Sequence, residues 1–316
     1  MSSPASPPPP QLQLARLASE LQMPAAALAA GPLLANLHVG TLDAGTGALA
    51  LPAGFTSAIL EIGCSDFGTA DEELLPRPEH ADAFLLSFEP LLDKYAVLAA
   101  RGTARYHNNT RDRSVSLGHH HRRGVVLPLA VSPMGGPVNF TVGHVAGCSS
   151  MLPVADARRA FTSWCGARRE MRVVPSVSLE TAIGLLGPDL PISVLKIDAQ
   201  GVDFKLLKAA PRALVQRRVA MVQMETRSPT CPLLYEGQST CDEVYEYMTS
   251  LGYAVRGPGR MRENRGCPPG LVAGTTTCSV GASLYNCCEQ NVAYVRREGG
   301  RRGGEEQTGQ PAPQHS

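Results

Sequence analysis

Three features of this 316-residue chain predict a Rossmann-like, doubly wound α/β fold with a mostly parallel sheet. Apolar runs of strand length alternate with helix-like segments through the middle of the sequence. The first of these runs enters a turn of small residues, Gly63-Cys64-Ser65-Asp66-Phe67-Gly68. Acidic side chains stand at or just before the carboxyl ends of four runs, at Glu61, Glu89, Asp198 and Glu225. Strand, helix, strand at this spacing needs crossover connections, which give a parallel sheet covered on both faces. In such sheets the ligand lies beyond the carboxyl ends of the strands.

Residues 1–50 read as an N-terminal leader. Prolines and serines dominate 2–10, a composition that favours extended, solvated chain. Leucines at 12, 14, 17 and 21 fit a short amphipathic helix over 11–22. Glu20 is the one acid before Asp43, so a transit peptide and a plain low-complexity leader are both open readings. Residues 51–298 form the folded domain, and the Gly/Arg/Glu/Gln-rich 299–316 is expected to be a disordered tail.

Within the domain, 58–62 is a buried strand, followed by the glycine turn. A Cβ at Gly63 or Gly68 would obstruct a close ligand or forbid a positive φ. The run 83–88 is a second strand and ends on Glu89, the place where a nucleotide-binding sheet holds ribose hydroxyls. Residues 90–101 are helical and closed by Gly102. The run 125–131 is a third strand, with Pro128 marking an edge or a bulge. Residues 138–142 are strand-like, and 178–186 is a helix capped by Ser178. The strand 192–197 ends on Asp198, the helix 202–210 is stopped with the help of Pro211, and the strand 219–224 ends on Glu225. A helix over 242–251 stops at Gly252, and 291–295 is a last short strand.

Together EIGCSDFGT, SFEP, LKIDAQGVDFKLLKAA, VQMET and SLGY resemble the FkbM-type S-adenosylmethionine-dependent methyltransferases, over roughly 55–295. The resemblance implies a seven-stranded class I methyltransferase fold and methyl transfer, usually to a hydroxyl of a sugar or another small molecule. It implies S-adenosylmethionine as cofactor, with Gly63 and Glu89 at its amino-acid and ribose parts and Asp198 near its methionine end. Cofactor-binding candidates are Glu61, Gly63, Ser65, Asp66, Gly68 and Glu89. Asp66 has a second reading, as an Asx brace for the turn's own amides. Catalytic candidates are Asp198 and Glu225, with His144 as a third base and 147–150 as a small-residue active-site loop. The family's K-I-D-x-E-G-x-E run has Gln200 and Asp203 at its two glutamate places here. An amide takes up no proton. Gln200 therefore keeps open a catalytically impaired binding protein, beside a less favoured nicotinamide-dependent oxidoreductase.

A formal charge of +1 gives no global field for nucleic acid or anionic lipid, and no apolar run of spanning length occurs. The expected partner is a small-molecule or glycan acceptor, and the chain is expected to be soluble. His119-His120-His121 lacks metal-site spacing and reads as part of a polar insertion over 108–124, so no metal is expected. Six of the nine cysteines fall in 231–288 without a C-x-x-C pair, which suits disulfides in an oxidising compartment. Cys64 is read as a small turn residue. Asn108-Asn109-Thr110 and Asn139-Phe140-Thr141 are glycosylation sequons. A secretory lumen or organelle is favoured over the cytoplasm.

Overall fold

The computed structural model describes residues 10–21, 32–34, 37–43, 45–65, 69–100, 123–143, 147–155, 170–216, 218–227, 233–255 and 289–297. Two short strands, β1 (Pro32–Leu34) and β2 (Leu37–Thr41), pair with each other as an antiparallel ribbon. The centre is a seven-stranded sheet. Its strands are β3 (Ser57–Ile62), β4 (Ala83–Phe88), β5 (Gly124–Leu127), β9 (Ile192–Ile197), β10 (Val219–Arg227), β11 (Tyr253–Val255) and β12 (Glu289–Arg296). They lie in the order β11-β12-β10-β9-β3-β4-β5. Five strands, β10, β9, β3, β4 and β5, run parallel, and β12 is antiparallel to both β10 and β11.

The central strands are buried on both faces, as continuous apolar sequence requires in a covered parallel sheet. Ile59, Leu60, Leu85, Leu86 and Leu195 are fully buried. Each contributes about 1.5–3 kcal/mol by leaving water. The order of β3, β4 and β9 reverses direction of winding at β3, since the chain goes from β3 to β4 on one side and reaches β9 on the other. That reversal opens a crevice beyond their carboxyl ends.

The run 125–131 is not one strand. Leu127 ends β5, and Ala130–Ser132 (β6) joins a separate three-stranded sheet in the order β6-β8-β7. There β7 is Gly136–Val142 and β8 is Glu170–Ser178. Pro128 has no amide hydrogen to continue the ladder, and Leu129 N donates back to Leu127 O at 2.9 Å, which turns the chain out of the main sheet. Strand β8 was not foreseen. Its exposed residues Met171, Val173 and Pro175 are apolar while Ser176 and Ser178 are buried, so the usual polar-outward alternation is absent.

Helix α1 (Pro10–Leu21) is the one anticipated over 11–22. It is docked on the domain although it falls within the stretch read as a leader. Leu17 is fully buried in the main core. Glu20 accepts from Ser178 N at 2.7 Å and from Thr181 Oγ1 at 2.8 Å, at the start of the helix Leu179–Gly184. Ser178 caps that helix as expected, taking Thr181 N at 3.1 Å. No helix among the described residues is long and apolar enough to cross a membrane.

Candidate active site

A cavity of about 380 Å³ opens beyond the ends of β3, β4 and β9. Its size is that of a small-molecule site. Gly63, Cys64 and Ser65 from the turn, Glu89 and Asp198 from the strand ends, and Ala199 and Gln200 line it. Leu91, Leu129, Phe140 and Met151 supply an apolar wall. Glu89 and Asp198 thus face one space, while the other two strand-end acids do not reach it.

Glu61 lies beneath the turn, fully buried. It accepts from Lys196 Nζ on β9 at 2.9 Å, from Ser87 Oγ on β4 at 2.9 Å and from Ala70 N at 3.1 Å. The structure therefore places Glu61 under the site, tying three strands and the following helix together, outside the cavity wall. Burial by itself would depress the Lys196 ammonium, but the carboxylates of Glu61 and Asp198 outweigh it and raise the group above its ordinary value.

Glu225 is also displaced from the expected position. Strand β10 continues to Arg227, and Glu225 sits inside it, in register with Asn291 of β12. The antiparallel partner extends the ladder past the point where a parallel neighbour alone would have let it end. Four acids on one rim become two. Asp66, Gly68 and His144 lie outside the described residues, as do 119–121. Among the described residues no group of three His, Cys, Asp or Glu could hold a metal ion.

Gly63 has the positive φ that the sequence reading allowed for, and it also admits a close approach. It has φ +79°, and a Cβ there would sit 2.0 Å from the Asp198 carbonyl oxygen. The glycine admits the end of β9 rather than a ligand, and so brings Asp198 to the turn. Ser65 takes a positive φ of 55° and its Oγ accepts from Lys94 Nζ at 2.9 Å. Lys94 also lines the cavity and was not singled out in sequence. Glu89 is buried; its Oε1 accepts from Leu91 N at 2.9 Å, which fixes the carboxylate at the strand tip. Cys64 is buried against Phe88, and burial, with Glu61 and Glu89 nearby, pushes its thiol well above the ordinary value. That rise favours the neutral thiol.

The turn after β9 carries the residue that departs from the family pattern. Gln200 has φ +52°. Its Nε2 donates to Asp198 Oδ1 at 2.9 Å, and its Oε1 accepts from Tyr235 OH at 3.0 Å. Ser150 Oγ donates to the Gln200 carbonyl at 2.6 Å, so the loop 147–150 is pinned to the same turn. An amide suits this place because it donates to a carboxylate on one side and accepts from a phenol on the other. Tyr235 was missed in sequence. It lies in irregular chain 35 positions from Gln200, with no periodic or motif signal. Tyr235→Phe is expected to free the Gln200 amide, weakening affinity for a ligand of the cavity by roughly threefold to tenfold, the scale of one neutral hydrogen bond. Titration calorimetry on variant and parent checks this, and equal affinities would show that the phenol is dispensable.

Asp203 braces the turn from below, accepting from Ala199 N at 3.0 Å and from Gly201 N at 2.9 Å. Burial pushes its carboxyl up to about 7; the two amides pull the other way and the charge of Asp198 adds to the rise. An unfolded Asp titrates near 4. Between about pH 4 and pH 7 the folded chain then holds a proton that the unfolded chain has lost, so stability falls as pH rises through this window and levels off above it. The stability margin of the parent over Asp203→Asn is expected to shrink between pH 5 and pH 8 in denaturant titrations. A constant margin would mean that Asp203 is ionised throughout.

Cys148 and Cys241 are disulfide-bonded, while Cys64 is free. The other six cysteines lie outside the described residues. Cys241 belongs to the C-terminal group expected to form disulfides, whereas Cys148, on the loop that lines the cavity, was not among the cysteines read that way.

Comparison with known proteins gives a family match over more than half of the chain. The family model described as "Methyltransferase FkbM domain" matches residues 73–255, more than half of the chain. The SFEP, KIDAQGVD and VQMET segments fall inside the match, and the glycine turn precedes it. No curated protein matches the chain. Among solved structures, it is similar to the methyltransferase FkbM from Methylobacillus flagellatus KT, at 11% identity and a TM-score of 0.38, over 78% of this chain and 45% of that one. A fibrillarin/Nop5p complex aligns at 10% identity and a TM-score of 0.31, over 77% of this chain and 73% of its counterpart. The small RNA methyltransferase HEN1 aligns at 10% identity and 0.32, over 94% of this chain and 26% of that one. The chain thus spans less than half the length of the FkbM structure. With more than half of its residues under one family model and a mostly parallel seven-stranded sheet beneath them, the chain belongs to the FkbM methyltransferase family.

Proposed function

We propose that the protein is an S-adenosylmethionine-dependent methyltransferase acting on a hydroxyl oxygen of a sugar or another small hydroxylated molecule. The observation that carries this reading is the single cavity into which Glu89 and Asp198 both face, roofed by the Gly63–Ser65 turn. The residues present fit the cofactor. Glu89, fixed at the tip of β4, would hold the ribose hydroxyls, and Leu91 and Leu129 offer apolar walls to a flat base. Gly63, Ser65 and Asp198 would bracket the methionine end.

When bound, the cofactor supplies an electrophilic methyl group on a sulfonium. The chain's own work is alignment and exclusion of water, which the apolar wall of Phe140 and Met151 supports. Asp198 is the residue positioned to accept the hydroxyl proton, its Oδ1 oriented by the Gln200 amide. Gln200 thereby serves as a brace for the neighbouring carboxylate. Glu225 has no part in this reading, because it does not line the cavity.

Calorimetry with S-adenosylmethionine and with NAD separates this proposal from an oxidoreductase. Binding of NAD alone would overturn it. A second reading, a protein that binds the cofactor without turnover, is favoured by Gln200 at the family's glutamate place. Labelled methyl transfer to a panel of glycans and hydroxylated metabolites decides between them, and label recovered on nitrogen or carbon would overturn the oxygen assignment.

A further inference from the structure

We infer that Asn139 is an N-glycosylation site, modified by an oligosaccharide in an oxidising secretory compartment. The sequon Asn139-Phe140-Thr141 lies wholly within β7. Alternation along the strand turns its ends apart from its middle. Phe140 points inward and packs with Leu91, Ala130 and Val174, and it lines the cavity. Asn139 points the other way and is exposed. A sugar on its nitrogen therefore leaves the fold on the side away from the active site.

The surface around Asn139 is unusual for a solvated sheet face. In register with it stands Val173 on β8, 69% exposed, with Met171 beside it at 63%. Pro137 and Pro175 are opposite one another and exposed on the same face. A row of exposed apolar residues on a small sheet is a liability for association. The first sugar rings of a glycan, whose C–H faces are themselves apolar, would stand over Val173 and Met171. The second, independent observation concerns redox state. Cys148, on the loop bridged to Thr141 through Ser150, and Cys241, on the far side of the molecule's sequence, are both disulfide-bonded. Disulfides persist in the same compartments in which sequons are read.

The modification joins Asn139 Nδ2 to the anomeric carbon of a lipid-pyrophosphate-linked oligosaccharide. The carbon–oxygen bond to pyrophosphate breaks, the lipid pyrophosphate leaves with the electron pair, and the amide loses one proton to the transferase. Nothing is oxidised or reduced.

The test uses the full-length chain purified without reductant from cells that produce it. It is treated with peptide:N-glycosidase F in ¹⁸O-water, and the peptide carrying Asn139 is analysed by mass spectrometry. The expected result is ¹⁸O-labelled Asp at 139 in the parent. Thr141→Ala should abolish the label, and Thr141→Ser should retain it in part. Unlabelled Asn139 in the parent would overturn the assignment. Alkylation of Cys148 and Cys241 as free thiols in the unreduced protein would overturn it as well. Neither outcome bears on cofactor binding, which calorimetry on the same material reads separately.

Discussion

Replacing Lys196 by methionine is expected to lower the stability of the fold by about 3–5 kcal/mol, the usual penalty for stranding one half of a buried ion pair. Lys196 and Glu61 are both almost without solvent contact, and they meet at 2.9 Å in the middle of the main sheet. Methionine would leave Glu61 with the hydroxyl of Ser87 and the amide of Ala70 as partners, but with a full charge in an apolar interior. A loss on this scale is a large fraction of the total stability of a domain. Urea denaturation of parent and variant measures it. The double variant Glu61→Leu with Lys196→Met should recover much of the loss, because an apolar pair removes the stranded charge. A single variant as stable as the parent would show that the pair is solvated in solution.

Glu89→Ala carries the largest expected effect on the site. If the carboxylate holds the ribose, its loss removes charge-assisted hydrogen bonds worth about 1.5–3 kcal/mol each, or roughly tenfold to a hundredfold in affinity. The variant also leaves Leu91 N without its acceptor, so a thermal melt without ligand must accompany the calorimetry. A tenfold or greater loss of affinity in a variant still folded at the assay temperature is the expected pattern. Unchanged affinity would remove Glu89 from the site, and with it the main support for an adenosine-bearing cofactor.

Much of the sheet was legible. The runs 83–88 and 192–197 are strands with those same limits, because continuous apolar sequence bounded by turn residues has few other stable forms. The cap at Ser178 and the stop at Gly252 are equally local signals. The cavity lining was legible where it follows from a place on a strand end, as at Glu89 and Asp198. The site was not legible where the role depends on a distant partner. Nothing near Glu61 announces Lys196, 135 positions away. Nothing in the loop before helix Cys241–Ser250 marks Tyr235 as the support of Gln200. Glu225 misled for the same reason, since its strand is prolonged by β12, a partner that comes much later in the chain.

The parallel strands themselves, the glycine bend and the family pattern were determined by sequence alone, because periodicity, backbone freedom and short motifs act over a few residues. Which acids share a cavity, which one is spent on a buried ammonium, and why Gly63 cannot carry a side chain were decided by the tertiary structure. Those outcomes depend on distances between strands far apart in the chain, and only folding sets them.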